Sequence, residues 1–475
     1  MSAPTEPIAV ATAPSDPGTS GNDTLIKNTN PSCPTPVTGM FHSSCDPVPA
    51  ITASGTGSRI SATPHRSISL TTVPRFTPFR AVRFAADPAE QVTAPPYDVL
   101  SAEQAESYRA RHPHNIARID VPSGDDRYRR AGELYRQWVA DGVLVADETL
   151  TLTVYRLDFT DAAGRSRSIS GVMGGLEVVD GGAGGVLPHE RTTPKASTDR
   201  LDLTRATAAN LSPIWGLSLA AGLTDLLAEP GEPLAEVTDD DPSTGPVRHR
   251  VERITDPERI AAVCSLISSD DVLLADGHHR YGVARSYRDE VRAATGRTDT
   301  PAEDTLAFIN ELVADQLSVA AIHRLYAGSP LETIRAALER YFDLAPIDRP
   351  DASTLSRMES DAHLVLVGPD STWSLTAKPD AFEGVRQLDG LWLETALADR
   401  DVAVSYQHGV DEVLKAVGSG EATAGVLIRP VGVAEIERTA REGVLMPPKS
   451  TFFTPKLRTG FVIRPLEGSD VNDRT

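Results

Sequence analysis

The run Asp271-Val272-Leu273-Leu274-Ala275 reads as a buried strand. It passes directly into Asp276-Gly277-His278-His279-Arg280, and a helical pattern follows over Tyr281 to Thr295. This order constrains the chain more than any other feature. A strand that turns at once into a helix is a unit of layered folds, in which helices cover a sheet. Gly277 permits the tight path between the two elements. The first N–H groups of the new helix lack intrahelical partners, and with the helix dipole they favour an anion. Many phosphate sites share this order of strand, tight loop and helix.

The rest of the pattern predicts mixed sheets with helices, an α/β or mixed α+β class. Ser101, with Gln104 three residues on, resembles a capping box that opens a helix through about Arg111. Tyr128, Leu134, Tyr135, Trp138 and Val139 mark a helix from about Asp126 to Asp141, ended by Gly142. Leu150 to Thr160 and Ser166 to Leu176 read as a hairpin, and Ile214 to Leu219, Val247 to Ile254 and Thr305 to Leu312 as strands. Further helices are expected over Asp256–Ile267, Pro330–Phe342, Leu388–Leu397 and Val433–Gly443, with a closing strand through Phe461 to Ile463. Residues 1–70 are rich in Pro, Ser, Thr and Gly without apolar periodicity, so a disordered tail is expected. Residues 71–465 are expected to form a single large body, with subdivision considered near 220–250 and 345. A disordered C-terminus is expected over 466–475.

The net charge of −20 disfavours nucleic-acid partners, because an acidic surface repels phosphate backbones. A local basic pocket can still accept a small phosphorylated ligand. Three cysteines without CxxC spacing exclude a zinc ribbon and suit a reducing compartment, so a cytoplasmic location is expected. No apolar run approaches the roughly 20 residues that a membrane helix needs. The first residues lack the basic start and apolar core of a secretory signal.

Three segments hold the residue types that chemistry needs. In the first, Arg280 offers a planar fork for phosphate, while His278 and His279 could donate hydrogen bonds, bind metal or shuttle protons. Asp276 could hold Mg²⁺ or orient a histidine. In the second, His189-Glu190-Arg191-Thr192 follows a glycine-rich loop, with Glu190 a candidate general base for a substrate hydroxyl. A charged surface loop is an equal alternative there. In the third, Lys449, Ser450 and Lys456 sit in a proline-stiffened loop that suits either phosphate recognition or a rigid turn. Tyr97 and Asp98 could form a ligand ledge or a structural staple. Lys195 and Arg200 could extend a basic patch, and Asn210 could serve as a turn residue or a polar contact. No GxGxxG, P-loop, GxSxG or HExxH pattern is present.

The segments APPYDVLS, HNIARID, LPHERTTPK, TAANLSPIWGL, LLADGHHRY and MPPKSTFFTPKL together resemble the bacterial and archaeal family known as domain of unknown function 1015, from about Pro74 to Ile463. Locally, the DGHHR exit resembles the phosphate-binding loop of the ParB/sulfiredoxin superfamily, some members of which are free-serine kinases that use ADP or ATP. That resemblance implies nucleotide phosphates at Gly277, His278, His279 and Arg280, with catalytic support from Asp276.

Three functions are therefore weighed. The first is a nucleotide-dependent small-molecule phosphotransferase, with ATP or ADP and Mg²⁺ as cofactors. There the catalytic set is Asp276, Glu190, His279 and His189, and Arg191, Lys449, Ser450 and Lys456 help to hold phosphate. The second is a metal-dependent hydrolase using His189, His278, His279 and Asp276. The third is a nucleotide- or metabolite-sensing module without turnover.

Overall fold

A computed structural model of the chain describes residues 73–467, apart from 162–163, 181–183, 191–194, 242–244, 352 and 448; for 195–198 only the backbone is described. The expected tail over 1–70 lies outside these residues, as does Arg191.

A nine-stranded mixed sheet forms the centre. Its strands are β1 (Phe76–Thr77), β2 (Leu152–Thr160), β3 (Ser166–Glu177), β4 (Val186–Pro188), β5 (Ile214–Ser218), β6 (Glu232–Asp241), β7 (Gly245–Ile254), β8 (Val272–Asp276) and β9 (Asp304–Glu311). Their order across the sheet is β4-β8-β5-β9-β3-β2-β7-β6, with β1 paired to β3. Apolar side chains bury both faces. Tyr155, Leu157, Trp215, Leu273 and Phe308 fill one cluster, and Leu152, Val154, Val172, Val272 and Ile309 another. The alternation along β2 and β3 thus serves two cores, as expected of a sheet covered on both sides.

The helices follow their sequence signals. Helix α1 (Ala102–Arg111) opens with the expected box: Ser101 Oγ accepts from Gln104 N, and Gln104 Oε1 accepts from Ser101 N. Helix α2 (Arg127–Ala140) ends before Gly142 at φ +72°. Gly132 of α2 lies against the backbone of Ala206 in helix α3 (Lys195–Thr207), so no side chain fits there. Helix α4 (Pro257–Ile267) is capped by Asp256, whose carboxylate accepts from Arg259 N.

Helix α5 (His278–Thr295) starts three residues earlier than its apolar pattern suggested, so His278, His279 and Arg280 form its first turn. Gly277 makes this possible at φ +85°. A Cβ there would lie 3.2 Å from both Ile214 Cα and Arg280 Nε. Gly277→Ala is therefore expected to cost about 1–2 kcal/mol, read as a lower urea midpoint at an unchanged slope. An unshifted midpoint would show that the turn relaxes freely.

A second, six-stranded sheet is built from His323–Ala327, Phe342–Pro346, Leu364–Val367, Thr372–Ala377, Ala403–Gln407 and Ala424–Leu427. It begins at His323, ahead of the boundary considered near 345. The segment 220–250 is no boundary, because it supplies β6 and part of β7 to the central sheet.

Three local expectations differ from the structure. The helix predicted over Pro330–Phe342 stops at Leu338. Phe342 has helical spacing from Ile334 and Leu338 but reaches the same core from a strand. In place of a strand over Phe461–Ile463, Ile463 makes one bridge to Val82, and Arg464–Pro465 pairs with Ala209–Asn210. Leu466, expected in a disordered end, is buried and donates its N–H to Ala208 O. Strand β6, which carries Pro233 and several acidic residues, is an edge strand bonded only to β7, and edge strands tolerate charge and proline.

Candidate functional site

The pairing of two short strands assembles the site. β4 and β8 are parallel neighbours, with Val186 opposite Val272 and Pro188 opposite Leu274. The residues that leave them, His189-Glu190 and Asp276-Gly277, therefore emerge at the same sheet edge. β5 runs antiparallel to β8, and β9 runs parallel to β5. The start of β5, after Ser212-Pro213, and the start of β9, at Asp304-Thr305, thus reach that edge too. Sites in open α/β sheets favour strand ends of this kind.

The C-terminal loop closes over this edge. Met446 bridges to Glu190 and donates its N–H to His189 O at 2.7 Å. Glu190 accepts from the backbone N–H groups of Lys449 (2.8 Å), Ser450 (3.1 Å) and Thr451 (3.4 Å). Burial raises its pKa, against the pull of those three donors. Glu190 therefore holds the 449–451 turn as a bound anion would. Lys449 takes φ +61° in that turn, and Ser450 donates its hydroxyl to Pro447 O at 2.8 Å. Lys456 lies over the Phe452 ring and donates to Asp276 Oδ1 at 2.8 Å. The three motifs singled out in the sequence thus meet at one place.

Each histidine has a distinct setting. His189 is fully buried. Its Nδ1 lies 2.7 Å from Leu274 O and its Nε2 2.8 Å from Thr451 Oγ1. Burial lowers its pKa to about 4, so the ring is neutral, with Nδ1–H donating and Nε2 accepting. The His278 ring packs edge-on against it, with centroids 4.9 Å apart. Burial, and then repulsion from His189, holds the His278 pKa well below its ordinary value. Among the described residues, its buried Nε2 has no hydrogen-bond partner. His279 occupies the next position of the first turn. His323, outside this site, accepts the Ile428 N–H in the second sheet's core and is a packing residue.

No side chain caps α5. Two cations flank its start. Arg280 donates to Asp276 Oδ2 at 2.7 Å and to Pro213 O, and Lys456 takes the other Asp276 oxygen. Burial would raise the Asp276 pKa, but Lys456 and Arg280 outweigh it and hold the group far below the carboxylate range. Arg280 also faces Asp98 and Asp120, so cations and carboxylates together flank the helix N-terminus. The pairing with Lys456 and Arg280 engages both Asp276 oxygens, so Mg²⁺ there would compete with those cations for the carboxylate. Among the described residues, His189, His278, His279 and Asp276 do not group as ligands for an ion.

Arg280 also lines a cleft enclosing about 480 Å³ of space, including open solvent at its mouth. Tyr97, Asp120, Arg200, Asn210, Ser212 and Thr305 line it as well. Tyr97 lines this cleft, and its ring stacks under the Arg200 guanidinium at 4.0 Å. Asn210 Oδ1 accepts the Leu306 N–H.

The sequence reading missed Asp120, which ends the short helix Ala117–Asp120. Its Oδ1 accepts from Arg200 at 3.0 Å, while Oδ2 is buried and unpartnered. Burial raises its pKa despite Arg200 and Arg280. A carboxylate with one anchored and one orphaned oxygen has the form of a general base.

Among the described residues, no helix is long and apolar enough to cross a membrane. No curated protein matches the sequence. Solved structures give remote likenesses. A conserved hypothetical protein from Pyrococcus furiosus shows TM-score 0.33 and 11% identity, over 59% of this chain and 91% of that one. Free serine kinase in complex with AMP shows 0.32 and 12%, over 58% and 88%. SbnI from Staphylococcus aureus, truncated at its C-terminus, shows 0.36 and 12%, over 64% and 92%. At these scores no residue of theirs is matched to one here. The family described as "Protein of unknown function (DUF1015)" matches residues 76–391, a span that holds both strand exits of the site and stops short of the Lys449–Lys456 loop. The chain belongs to that family.

Proposed function

We propose that this protein is a nucleotide-dependent phosphotransferase acting on a small hydroxyl-bearing substrate. The phosphates sit at the start of α5 and the acceptor sits in the cleft beside Asp120. One observation carries this reading: the buried, unpartnered His278 Nε2 stands in the first turn of an uncapped helix flanked by Arg280 and Lys456. A phosphate oxygen supplies what that helix start lacks, an acceptor for its N–H groups and a partner for the imidazole.

Phosphoryl transfer needs positioning and charge neutralisation more than covalent chemistry. Arg280 touches both the helix start and the cleft, so it orients donor and acceptor together. The acceptor oxygen forms the new O–P bond, the nucleotide's O–P bond breaks, and the hydroxyl proton passes to Asp120 Oδ2. Asp120 takes the role of base rather than Glu190, because both Glu190 oxygens already hold the 449–451 turn. ATP or ADP is the donor class. Mg²⁺ would arrive on the nucleotide phosphates and neutralise their charge.

A second reading, binding without turnover, has its own support. His189, Glu190 and Asp276 all use their polar atoms in internal contacts.

A thermal-shift screen of the full chain against ATP, ADP, CTP and pyrophosphate, with and without Mg²⁺, tests the site. A ligand at 100 times its Kd should add about 2.7 kcal/mol of stability. The shift should vanish in Arg280→Ala, judged against that variant's own unliganded melting temperature. Product detected by ³¹P NMR with hydroxyl amino acids selects the phosphotransferase. Binding without product across acceptors selects the sensor, and no shift with any nucleotide sinks both.

A further inference from the structure

We propose that Asp87, His112 and His114 form a site for a borderline divalent cation of the Zn²⁺ class, separate from the nucleotide site. Asp87 lies in the turn ahead of the short helix Ala89–Val92, and His112 caps the end of α1. His114 follows after Pro113. One ligand atom from each of the three lies within 4.8 Å of the others. His114 Nδ1 stands 2.6 Å from Asp87 Oδ2, and the His114 backbone N–H donates to His112 Nδ1 at 3.1 Å. The two imidazoles sit edge to face with centroids 5.3 Å apart, and Trp138 packs against the far histidine at 5.6 Å. Packing against Trp138 holds the His114 ring before any ion arrives, and the His114 N–H must leave His112 Nδ1 for that nitrogen to ligate.

The chemistry favours a metal over an ion pair. Two imidazoles and one carboxylate converge, with a ligand atom of each within 4.8 Å of the others. Two neutral imidazoles and a carboxylate suit Zn²⁺ and its neighbours, whereas Mg²⁺ and Ca²⁺ prefer oxygen alone. Three protein ligands also leave a coordination position open, the pattern of sites that act on a bound water or anion. Of the three ligands, Asp87 also lines a cleft enclosing about 950 Å³, open solvent included, with Arg83, Glu90, Thr93 and Glu236. None of these residues belongs to the α5 site, so neither idea depends on the other.

The test uses the full chain, stripped with a chelator and titrated with Zn²⁺ by calorimetry, with bound metal counted by mass spectrometry. One equivalent is expected. A His112→Ala/His114→Ala double variant should lose it, and Asp87→Asn should bind at least tenfold more weakly. Co²⁺ should give a visible spectrum in the wild type that the double variant lacks. If the double variant fails to fold, His112→Gln alone should show the same tenfold loss. No stoichiometric uptake, or equal uptake by wild type and folded variants, overturns the proposal; equal uptake would mean ions scattered over the acidic surface.

Discussion

Asp120→Asn is expected to lower turnover by about 10²–10⁴-fold while nucleotide affinity stays within a few-fold. Asparagine keeps an oxygen for Arg200, which now bonds Asp120 Oδ1 at 3.0 Å, so the cleft wall should stand. What disappears is the proton acceptor at the buried Oδ2. Because burial raises the Asp120 pKa, wild-type kcat should fall on the acid side as this group protonates. The variant should lose that limb of the profile. A structural role would lower melting temperature and leave kcat per folded molecule unchanged, and that pattern would remove Asp120 from the mechanism. Glu190→Gln offers the contrast. It should loosen the 449–451 turn and weaken nucleotide binding, because its carboxylate is the anchor for three backbone N–H groups.

Asp120 shows where a sequence reading stops. In Ala117-Arg118-Ile119-Asp120 a carboxylate ending a short helix reads as surface charge. Its burial depends on Arg200, eighty residues away, and on the cleft that Arg280 and Tyr97 complete. Glu190 shows the converse. Its residue type suggested chemistry, yet its partners are N–H groups 259 to 261 residues further on, which no spacing rule reaches. The DGHHR exit was legible because strand, glycine and helix start are contiguous, and local steric rules govern contiguous residues. Even so, the apolar pattern put the helix start at Tyr281, because His278 to Arg280 carry no core-facing stripe. The alternating hairpin of β2 and β3 was legible from its period. The meeting of the HERT, DGHHR and MPPKST segments was not. It follows from β4 lying parallel beside β8, and short apolar strands do not encode which neighbour they choose.

The fold should also be sensitive to mild acid, because burial lowers the pKa of several histidines, His189 and His323 among them. His189 is kept neutral by its burial, and His323 accepts the Ile428 N–H, a geometry that requires a neutral ring. Burial lowers their pKa values from 6.5 to about 4 and about 3 respectively. The unfolded chain therefore binds protons that the folded chain refuses as pH drops below about 6.5. Stability that is full above that pH is lost on the way down to pH 4 for His189 and to pH 3 for His323. The shifts correspond to about 3 kcal/mol for His189 and about 5 kcal/mol for His323. Their sum is comparable to the whole stability of a typical domain, about 5–15 kcal/mol. Urea midpoints between pH 7 and pH 4 should therefore fall steeply. His323→Asn separates this cause from general acid unfolding, because the asparagine oxygen can accept the same N–H yet cannot be protonated in this range. The variant should start lower at pH 7 from lost packing, and its stability should then fall less between pH 6.5 and 4 than that of the wild type. An identical slope in variant and wild type would assign the acid sensitivity to other groups.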